Sequence, residues 1–343
     1  GKPKRVTPLD LEGTHSYVVS PSGGYAMHQF SNSYTRPASE WISLPKHQAL
    51  DASQSIASKL PAIQGAKTVE FFKINTADGT EMDGWMVKPK NFDPNKKYPV
   101  LMYVYGGPGS QNVTNAWGGT RDFWHHHLAA EGFIVACVDN RGTGARGRDF
   151  KHSTYANLGK LETEDQIAGA KYLGSLPFID KSRIGIWGWS YGGYMSSLAL
   201  MKGNDVFKAA IAVAPVTTWR YYDTIYTERY LQTPQQNAAG YDDNSPITHV
   251  DKLKGNLLLI HGTGDDNVHY QNADMLINEL IKHNKQFQVM PYPNRSHGIS
   301  GGDAAYLHLS TLYTNYLKHG FCLNKNQSIV AYLSADLTSL VAI

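Results

Sequence analysis

Short runs of aliphatic and β-branched residues recur along most of the chain, and each is long enough for one strand. Seven of these runs predict strands, at residues 68–74, 99–105, 133–138, 183–187, 209–213, 257–260 and 287–290. Several are apolar at nearly every position, which is typical of strands that are covered on both faces. The pattern therefore predicts a sheet that lies inside the molecule.

Apolar residues with helical spacing lie between these runs. Residues 273–281 and 305–317 each place apolar side chains on one helical face, and Gly320 is predicted to cap the second of these helices. Thr163 and Gln166 fit a capping box at the start of another helix. Because strand and helix alternate, the predicted fold class is α/β, with a mostly parallel central sheet and helices on both faces.

The two ends of the chain follow other patterns. Residues 1–55 contain short polar and aromatic runs broken by turn signals, which predicts short strands or loops. Residues 322–343 show only weak periodicity. We therefore divide the chain into an N-terminal segment at 1–55, a main domain at 56–321 and a C-terminal tail at 322–343.

Charge and cysteine content exclude several classes of function. The chain has 32 Lys+Arg against 29 Asp+Glu, a net charge of +3, so its charge gives no reason to propose nucleic acid as a partner. Two cysteines cannot form a disulfide framework or a Cys-rich zinc site. The apolar runs are too short to span a membrane, and the N-terminus lacks the apolar core of a signal peptide.

Two patterns that suggest a bound group are better explained otherwise. His125–His127 look like a metal cluster, but consecutive side chains point in different directions, so we predict a solvated helix face there. Residues 142–147 read G-x-G-x-x-G, but three residues separate them from the preceding strand and no helical pattern follows. We therefore predict no dinucleotide site, no other cofactor and no metal.

Residues 188–192 read Gly-Trp-Ser-Tyr-Gly, the G-x-S-x-G pattern, between a predicted strand and a predicted helix at 194–201. In a nucleophile elbow the serine lies on a strained turn at the C-terminal end of a strand, and the glycines allow close backbone packing. Ser190 is therefore the candidate nucleophile. A turn of small residues without catalysis is the alternative.

A serine hydroxyl needs a base to remove its proton and an acid to orient that base, and α/β-hydrolases supply them in the order Ser, Asp/Glu, His. His297 follows the last predicted strand and is the candidate base. Asp265 and Asp266 follow the strand at 257–260. Only one of two adjacent side chains can face the imidazole, and the residues alone leave that choice open. We interpret His261 as structural.

The charge that develops on a substrate carbonyl oxygen needs hydrogen-bond donors. One is expected to be the N–H of Tyr191, the residue after the nucleophile. The second is expected from the loop that follows the strand at 99–105. Either a glycine N–H within 106–109 or the Tyr105 hydroxyl can supply it.

Several motifs together resemble the prolyl oligopeptidase family of serine peptidases, and in particular its members that remove N-terminal dipeptides. They are Tyr-Gly-Gly-Pro at 105–108, Gly-Trp-Ser-Tyr-Gly-Gly-Tyr at 188–194, Ala-Val-Ala-Pro-Val at 212–216, Asp-Asp-Asn-Val-His at 265–269 and His-Gly-Ile at 297–299. The resemblance runs from about residue 97 to residue 320. It supports the predicted α/β-hydrolase fold.

The resemblance implies roles that the residues alone leave open. Asp265 is then the acid of the triad, Tyr105 donates its hydroxyl to the oxyanion, and Asn267 binds a substrate carbonyl. The pocket for a proline ring is then formed by Tyr191, Val216, Trp219, Tyr222, Tyr226 and Val268. Trp219, Tyr222 and Tyr226 also fit one helical face by their spacing, so packing in the core is the alternative for these aromatic residues.

The resemblance also implies an activity. It is cleavage of a peptide after proline or alanine through an acyl-enzyme on Ser190, with release of N-terminal dipeptides by the full-length protein. An endopeptidase, an acylaminoacyl peptidase or an esterase on the same scaffold is one alternative. A catalytically silent hydrolase-fold binding protein is an alternative of another class. The resemblance further implies a homodimer and a periplasmic or extracellular location.

One part of the family pattern is largely missing from this sequence. Family members carry a β-propeller before the catalytic domain, and acidic residues on it hold the free amine of the substrate. Because 343 residues cannot contain both, we expect residues 1–55 to be a remnant of the propeller and its linker. The chain is then a C-terminal fragment or a truncated homologue, and its preference for free N-termini should weaken.

Overall fold

A computed structural model of the chain describes residues 2–65, 68–118, 120–302 and 304–322. The predicted tail lies outside the described residues, except for its first position. The described residues divide into two compact units. The first comprises the residues up to Tyr155 together with Lys160–Ile179, and the second comprises Ala156–Gly159 and the residues from Asp180 onward.

An antiparallel sheet of four consecutive strands opens the first unit. Its strands are β1 (Thr14–Val19), β2 (Tyr25–Asn32), β3 (Thr35–Ser43) and β4 (Gln48–Ala49), and helix α1 (Ile56–Ile63) follows. Ala26, Phe30 and Ile42 are buried, so the sheet has an apolar core face. Short strands were one of the two expectations for this segment. The assignment of residues 1–55 to a propeller remnant stays a prediction.

The rest of the first unit mixes strand directions. It contains β5 (Val69–Asn75), β6 (Glu81–Val87), β7 (Tyr98–Tyr103), α2 (Thr120–Ala130), β8 (Ile134–Val138), α3 (Arg148–His152) and α4 (Lys160–Ser175). β7 and β8 are parallel, whereas β6 is antiparallel to both β5 and β8. Every residue of β7 and β8 is buried, as their uniformly apolar sequences predict.

The strands of the second unit all pair with one another in parallel. It contains β9 (Ile179–Trp189), α5 (Tyr191–Lys202), β10 (Ala209–Val213), α6 (Thr224–Leu231), α7 (Ala238–Asp242), β11 (Asn256–Gly262), α8 (Gln271–Lys282), β12 (Gln288–Tyr292) and α9 (Ala305–Cys322). β9, β10, β11 and β12 are neighbours in that order. With the first unit's strands from β5 onward they belong to an eight-stranded, mostly parallel sheet, which confirms the predicted fold class.

Three local expectations about helices were wrong. Helix α4 begins at Lys160, so Thr163 lies inside the helix and does not cap it. Gln166 instead donates its amide to the Val138 carbonyl, 2.9 Å away, because its side chain is buried beside β8. Gly320 lies within α9, which continues to Cys322. Ile281, placed on the apolar stripe of α8, is 63% exposed.

The structure also differs from the sequence interpretation at the histidine run 125–127 and at the glycines of 142–147. His125 is buried and packs against the rings of Trp85 and Tyr103, so α2 does not present it to solvent. These rings belong to β6 and β7, which cover this side of the helix. A short helix, α3, does follow Gly147, although the sequence showed no helical pattern there.

Candidate active site

Ser190 lies at the turn between β9 and α5. Its backbone has φ 61° and ψ −118°, a left-handed conformation that a residue with a side chain seldom adopts. The turn is held because the Ser190 N–H donates to the Val213 carbonyl at 2.8 Å and the Tyr194 N–H donates to the Ser190 carbonyl at 3.0 Å. Ser190 is partly exposed at this turn.

Glycine is required on the helix side of this turn. A Cβ atom on Gly193 would lie 2.5 Å from the Val213 carbonyl oxygen, closer than any real contact. α5 can therefore approach β10 only because residue 193 has no side chain. Tyr191 is the first residue of α5, and the N–H groups of a helix's first turn point out of its N-terminus, where they can bind an oxyanion.

Asp265 and His297 meet on the loops after β11 and β12. The two strands are parallel, and the register pairs Gly262 with Tyr292 at their carboxyl ends. His297 Nδ1 lies 2.8 Å from Asp265 Oδ2, a hydrogen bond with Asp265 buried and His297 half-buried. Asp266, the other candidate acid, is exposed.

Asp265 is surrounded by donors. Its Oδ1 accepts the backbone N–H groups of Asn267 and Val268, both at 2.9 Å. Burial acts to raise the pKa of Asp265, but the hydrogen bonds from His261, His297 and the Asn267 N–H outweigh it and hold that pKa well below its ordinary value. The carboxylate is therefore ionised at neutral pH and can orient His297 through Nδ1–H, which leaves Nε2 to accept a proton.

A further hydrogen bond connects the elbow with the histidine loop. The Trp189 indole Nε1–H donates to the His297 carbonyl at 2.9 Å. Trp189 directly precedes Ser190, so this bond connects the turn that carries Ser190 with the loop that carries His297. All four side chains, those of Trp189, Ser190, Asp265 and His297, belong to the second unit.

The predicted pocket residues form one aromatic cluster in the same unit. The Trp219 ring lies at its centre, with ring centroids 5.5 Å from Tyr191, 6.0 Å from Tyr222 and 6.1 Å from Tyr226. The predicted single helical face is wrong, because Trp219 lies on a 3-10 turn, Tyr222 is extended, and α6 begins only at Thr224. The bend in the chain brings the rings together instead.

The remaining residues of the predicted pocket are two apolar valines and one polar asparagine. Val216 and Val268 are buried. Asn267 is exposed, and its Oδ1 accepts the Tyr222 hydroxyl at 2.8 Å. That bond uses the amide oxygen, and the donor of this side chain is Nδ2.

Tyr105 belongs to the first unit. It lies two residues beyond the end of β7 and is partly exposed. The backbone turns directly after it, since Gly106 has φ 76° and its carbonyl accepts the Asn140 amide at 3.0 Å. The role of Tyr105 at the oxyanion stays a prediction.

His261 is a site residue that the sequence argument underrated. It is completely buried at the end of β11, and its Nε2 lies 2.7 Å from the Val268 carbonyl and 3.2 Å from Asp265 Oδ2. Both partners can only accept, so the proton must be on Nε2. The one signal in the sequence is its position four residues before Asp265.

A strained serine between a strand and a helix, with an Asp–His pair on the ends of neighbouring parallel strands, defines the α/β-hydrolase class. A family model described as "Prolyl oligopeptidase family" matches residues 121–322. The chain therefore belongs to the prolyl oligopeptidase family.

Relatives and solved structures agree with this family. The chain is 42% identical to mouse "Prolyl endopeptidase FAP" over 81% of its own length and 36% of the relative's. It is 40% identical to "Dipeptidyl peptidase 4" of Felis catus, over 80% of this chain and 36% of that relative. The crystal structure of Porphyromonas gingivalis dipeptidyl peptidase 4 superposes with a TM-score of 0.82 at 41% identity, over 90% of this chain and 44% of that one.

The matches cover only part of those proteins. The chain spans about a third of the length of the curated relatives it matches. None of the helices within the described residues is long and apolar enough to cross a membrane.

Proposed function

We propose that the chain carries the catalytic domain of a serine peptidase that cleaves after proline or alanine and, in the full-length protein, releases N-terminal dipeptides. The observation that carries the proposal is the Asp265–His297 hydrogen bond, in the same unit as an elbow that holds a serine at positive φ. The names of the relatives, which include a prolyl endopeptidase and a dipeptidyl peptidase, agree with it.

In the proposed reaction, the Ser190 hydroxyl oxygen attacks the carbonyl carbon of the scissile bond and its proton passes to His297 Nε2. The Tyr191 N–H and the Tyr105 hydroxyl stabilise the oxyanion. When the intermediate collapses, the imidazolium gives the proton to the leaving amine and an acyl-enzyme remains. A water molecule then attacks by the same route, and Ser190 regains its proton.

The pocket residues account for selection of proline. A proline residue has a compact apolar ring and no N–H to satisfy. Faces of Tyr191, Trp219, Tyr222 and Tyr226 and the side chains of Val216 and Val268 offer apolar contact, and ring burial is worth about 1–3 kcal/mol. Asn267 Nδ2 then donates to a substrate carbonyl, because Tyr222 holds the amide oxygen.

Two variants and their matched controls test the proposal with chromogenic dipeptides that end in proline. Ser190→Ala should abolish turnover and labelling by a fluorophosphonate, whereas Ser182→Ala, an exposed serine, should keep both. Asp265→Asn should lower kcat by about 10⁴-fold, as loss of the acid does in triads of this kind. Asp266→Asn should change it little. Undiminished turnover in Ser190→Ala would refute the assignment.

Three further expectations accompany this proposal. Comparing free dipeptides, N-blocked peptides and short acyl esters separates a dipeptidyl peptidase from an endopeptidase, an acylaminoacyl peptidase and an esterase. The homodimer implied by the resemblance is checked by sedimentation of the full-length protein. The periplasmic or extracellular location is checked by fractionation of cells that produce it.

A further inference from the structure

A cluster of metal-ligating side chains lies in the N-terminal sheet. His28 is on β2, Glu40 is on β3, and His47 is in the turn between β3 and β4. One ligand atom from each residue lies within 4.8 Å of the ligand atoms of the other two. His28 is fully buried, and the other two are half-buried.

A chain of hydrogen bonds orients the His28 ring. Its Nε2 lies 2.8 Å from Nδ1 of His15, and Nε2 of His15 lies 2.8 Å from the Leu11 carbonyl. The planes of the two imidazoles are nearly parallel, with an interplanar angle of 5°. The Nδ1 atom of His28 is thereby directed toward Glu40.

The other two side chains are oriented in the same manner. Glu40 Oε2 accepts the Ile56 N–H at 2.9 Å, which leaves Oε1 for the cluster. His47 Nε2 lies 3.0 Å from the Tyr17 hydroxyl, which leaves Nδ1. The His47 ring meets the His28 ring edge to face, with centroids 4.6 Å apart. Histidine and carboxylate ligands of metals are held by outer hydrogen bonds of this kind.

The hydrogen bonds also specify which nitrogen of His28 faces the cluster. The Leu11 carbonyl only accepts, so His15 donates through Nε2 and, as a neutral ring, accepts through Nδ1. His28 must then donate through Nε2. In this tautomer the lone pair of His28 Nδ1 faces Glu40 Oε1, 2.8 Å away. An imidazole nitrogen and a carboxylate oxygen presented in this way are the donors that a metal ion binds.

A metal ion bound here would use all three side chains, and neutral imidazoles then satisfy the outer hydrogen bonds. Two imidazoles and one carboxylate are a donor set that suits Zn²⁺.

We propose that His28, Glu40 and His47 bind a divalent transition metal, Zn²⁺ by preference, with water in the fourth position. Tetrahedral bonds of about 2.0–2.2 Å place neighbouring ligand atoms about 3.3–3.5 Å apart, so binding spreads the His28–Glu40 contact by about half an ångström. The ion joins β2, β3 and the turn after β3. It would therefore stabilise this sheet, and it has no part in the proposed peptidase chemistry.

Zinc binding by the tag-free protein in metal-free buffer tests the proposal. Titration calorimetry with ZnCl₂ and elemental analysis after dialysis should both give one tightly bound Zn²⁺ per chain. Co²⁺ at the same site should show the intense visible absorption of a four-coordinate ion. Zn²⁺ should also raise the melting temperature, because it binds the folded chain in preference to the unfolded one.

Variants show whether these residues hold the ion. His47→Ala, in a turn, and Glu40→Gln, which keeps an acceptor for the Ile56 N–H, should each weaken Zn²⁺ binding at least about 100-fold. Tyr17→Phe should weaken it by about 10-fold, as loss of an outer hydrogen bond does. His283→Ala is the matched control, because it removes a surface histidine 3.5 Å from Glu279.

The outcomes separate a site built from these residues from binding elsewhere on the protein. Binding that is lost in His47→Ala and Glu40→Gln but kept in His283→Ala supports the metal site. No binding by the parent protein overturns it. Equal affinity in all variants also overturns it, because the zinc is then on surface histidines. Peptidase activity is not a readout here, so failure of this proposal leaves the proposed function untouched.

Discussion

The Asp265 carboxylate shows how single hydrogen bonds set the chemistry of the candidate site. Two backbone N–H groups fix one of its oxygens, and His297 and His261 share the other. Because His261 also reaches the Val268 carbonyl, one buried imidazole connects the proposed acid with a proposed pocket residue. We infer that His261 is a positioning residue.

Substitution of His261 tests this role. His261→Phe removes the Nε2–H donor and should lower kcat by about 10–100-fold, the value of one hydrogen bond to a charged group. His261→Gln places an amide N–H near the same point and should recover most of the loss. KM should change less than kcat in both. Equal kcat values for the Phe and Gln variants, at equal stability in urea, would contradict the role.

The buried carboxyl group of Asp139 should make the stability of the folded chain depend on pH. It is 6% exposed, and burial raises its pKa to about 6, although the N–H groups of Val113 and Asn112 oppose that rise. The folded state therefore binds the proton more tightly than the unfolded chain. The stability from this group is fully present below pH 4 and is lost as the pH rises through about 6.

Asp139→Asn measures that loss. The amide keeps an acceptor for the backbone but carries no charge at any pH. The free energy of unfolding of the parent, relative to Asp139→Asn, should fall by up to about 3 kcal/mol between pH 4 and pH 7, because burial raises the pKa of Asp139 from 3.8 to about 6. Urea unfolding across this range gives the difference. Exposed Asp149→Asn is the control, and a pH-independent difference for Asp139→Asn would refute the assignment.

The sequence could predict residues that a motif marks and could not predict contacts made by folding. Ser190 and His297 stand at strand ends in a fixed order, so both could be named in advance. The choice between Asp265 and Asp266 needed the resemblance, because the loop after β11 decides which one is buried. His125 was misplaced because only the packed rings around α2 show that its side is covered.

At the scale of elements, two glycines with opposite surroundings make a matched test. Gly193 of α5 has no room for a Cβ, whereas a Cβ on Gly320 of α9 meets nothing closer than 3.8 Å. Gly193→Ala should lower the free energy of unfolding by about 1–3 kcal/mol through overpacking. Gly320→Ala should raise it by up to about 1 kcal/mol, because alanine favours a helix. Urea unfolding of both variants checks the signs. A stabilised Gly193→Ala would contradict the packing of the elbow.

Strand prediction succeeded where the run is apolar or β-branched and failed where polar residues and glycine interrupt it. β10, apolar at every position, was predicted with its observed bounds. β6 was missed because Glu81, Asp83 and Gly84 look like a turn, although the strand pairs with β5 and β8 and is buried from Gly84 to Val87. Gly320 was misread as a cap for a related reason. A sequence marks glycine as permissive, and only packing shows whether the helix continues through it.

At the scale of the whole molecule, the proposed machinery is concentrated in one part of the chain. Ser190, Asp265, His297 and every proposed pocket residue belong to the second unit, and Tyr105 alone belongs to the first. The residues proposed for proton transfer and for selection of proline thus lie between positions 190 and 297 of the chain. Family membership is established at this scale too, since the match to the family covers all of these positions.

Selection of a substrate with a free N-terminus requires a group that binds its ammonium ion. An ammonium group needs a carboxylate, and the proposed pocket consists of aromatic rings, two valines and one amide. A charged hydrogen bond of about 1.5–3 kcal/mol would discriminate about 10–100-fold between free and blocked substrates. A polypeptide of this sequence alone should therefore show less than about tenfold preference for a free dipeptide over its N-blocked form.

Measurement of kcat/KM for free and N-blocked proline substrates checks this expectation, with Ser190→Ala as the background. Addition of salt should leave the ratio unchanged, because no exposed ion pair contributes to it. A preference above about 100-fold would show that a carboxylate within these residues binds the amine. Replacement of exposed acidic residues near the pocket, beginning with Asp266 and Glu228, would then identify it.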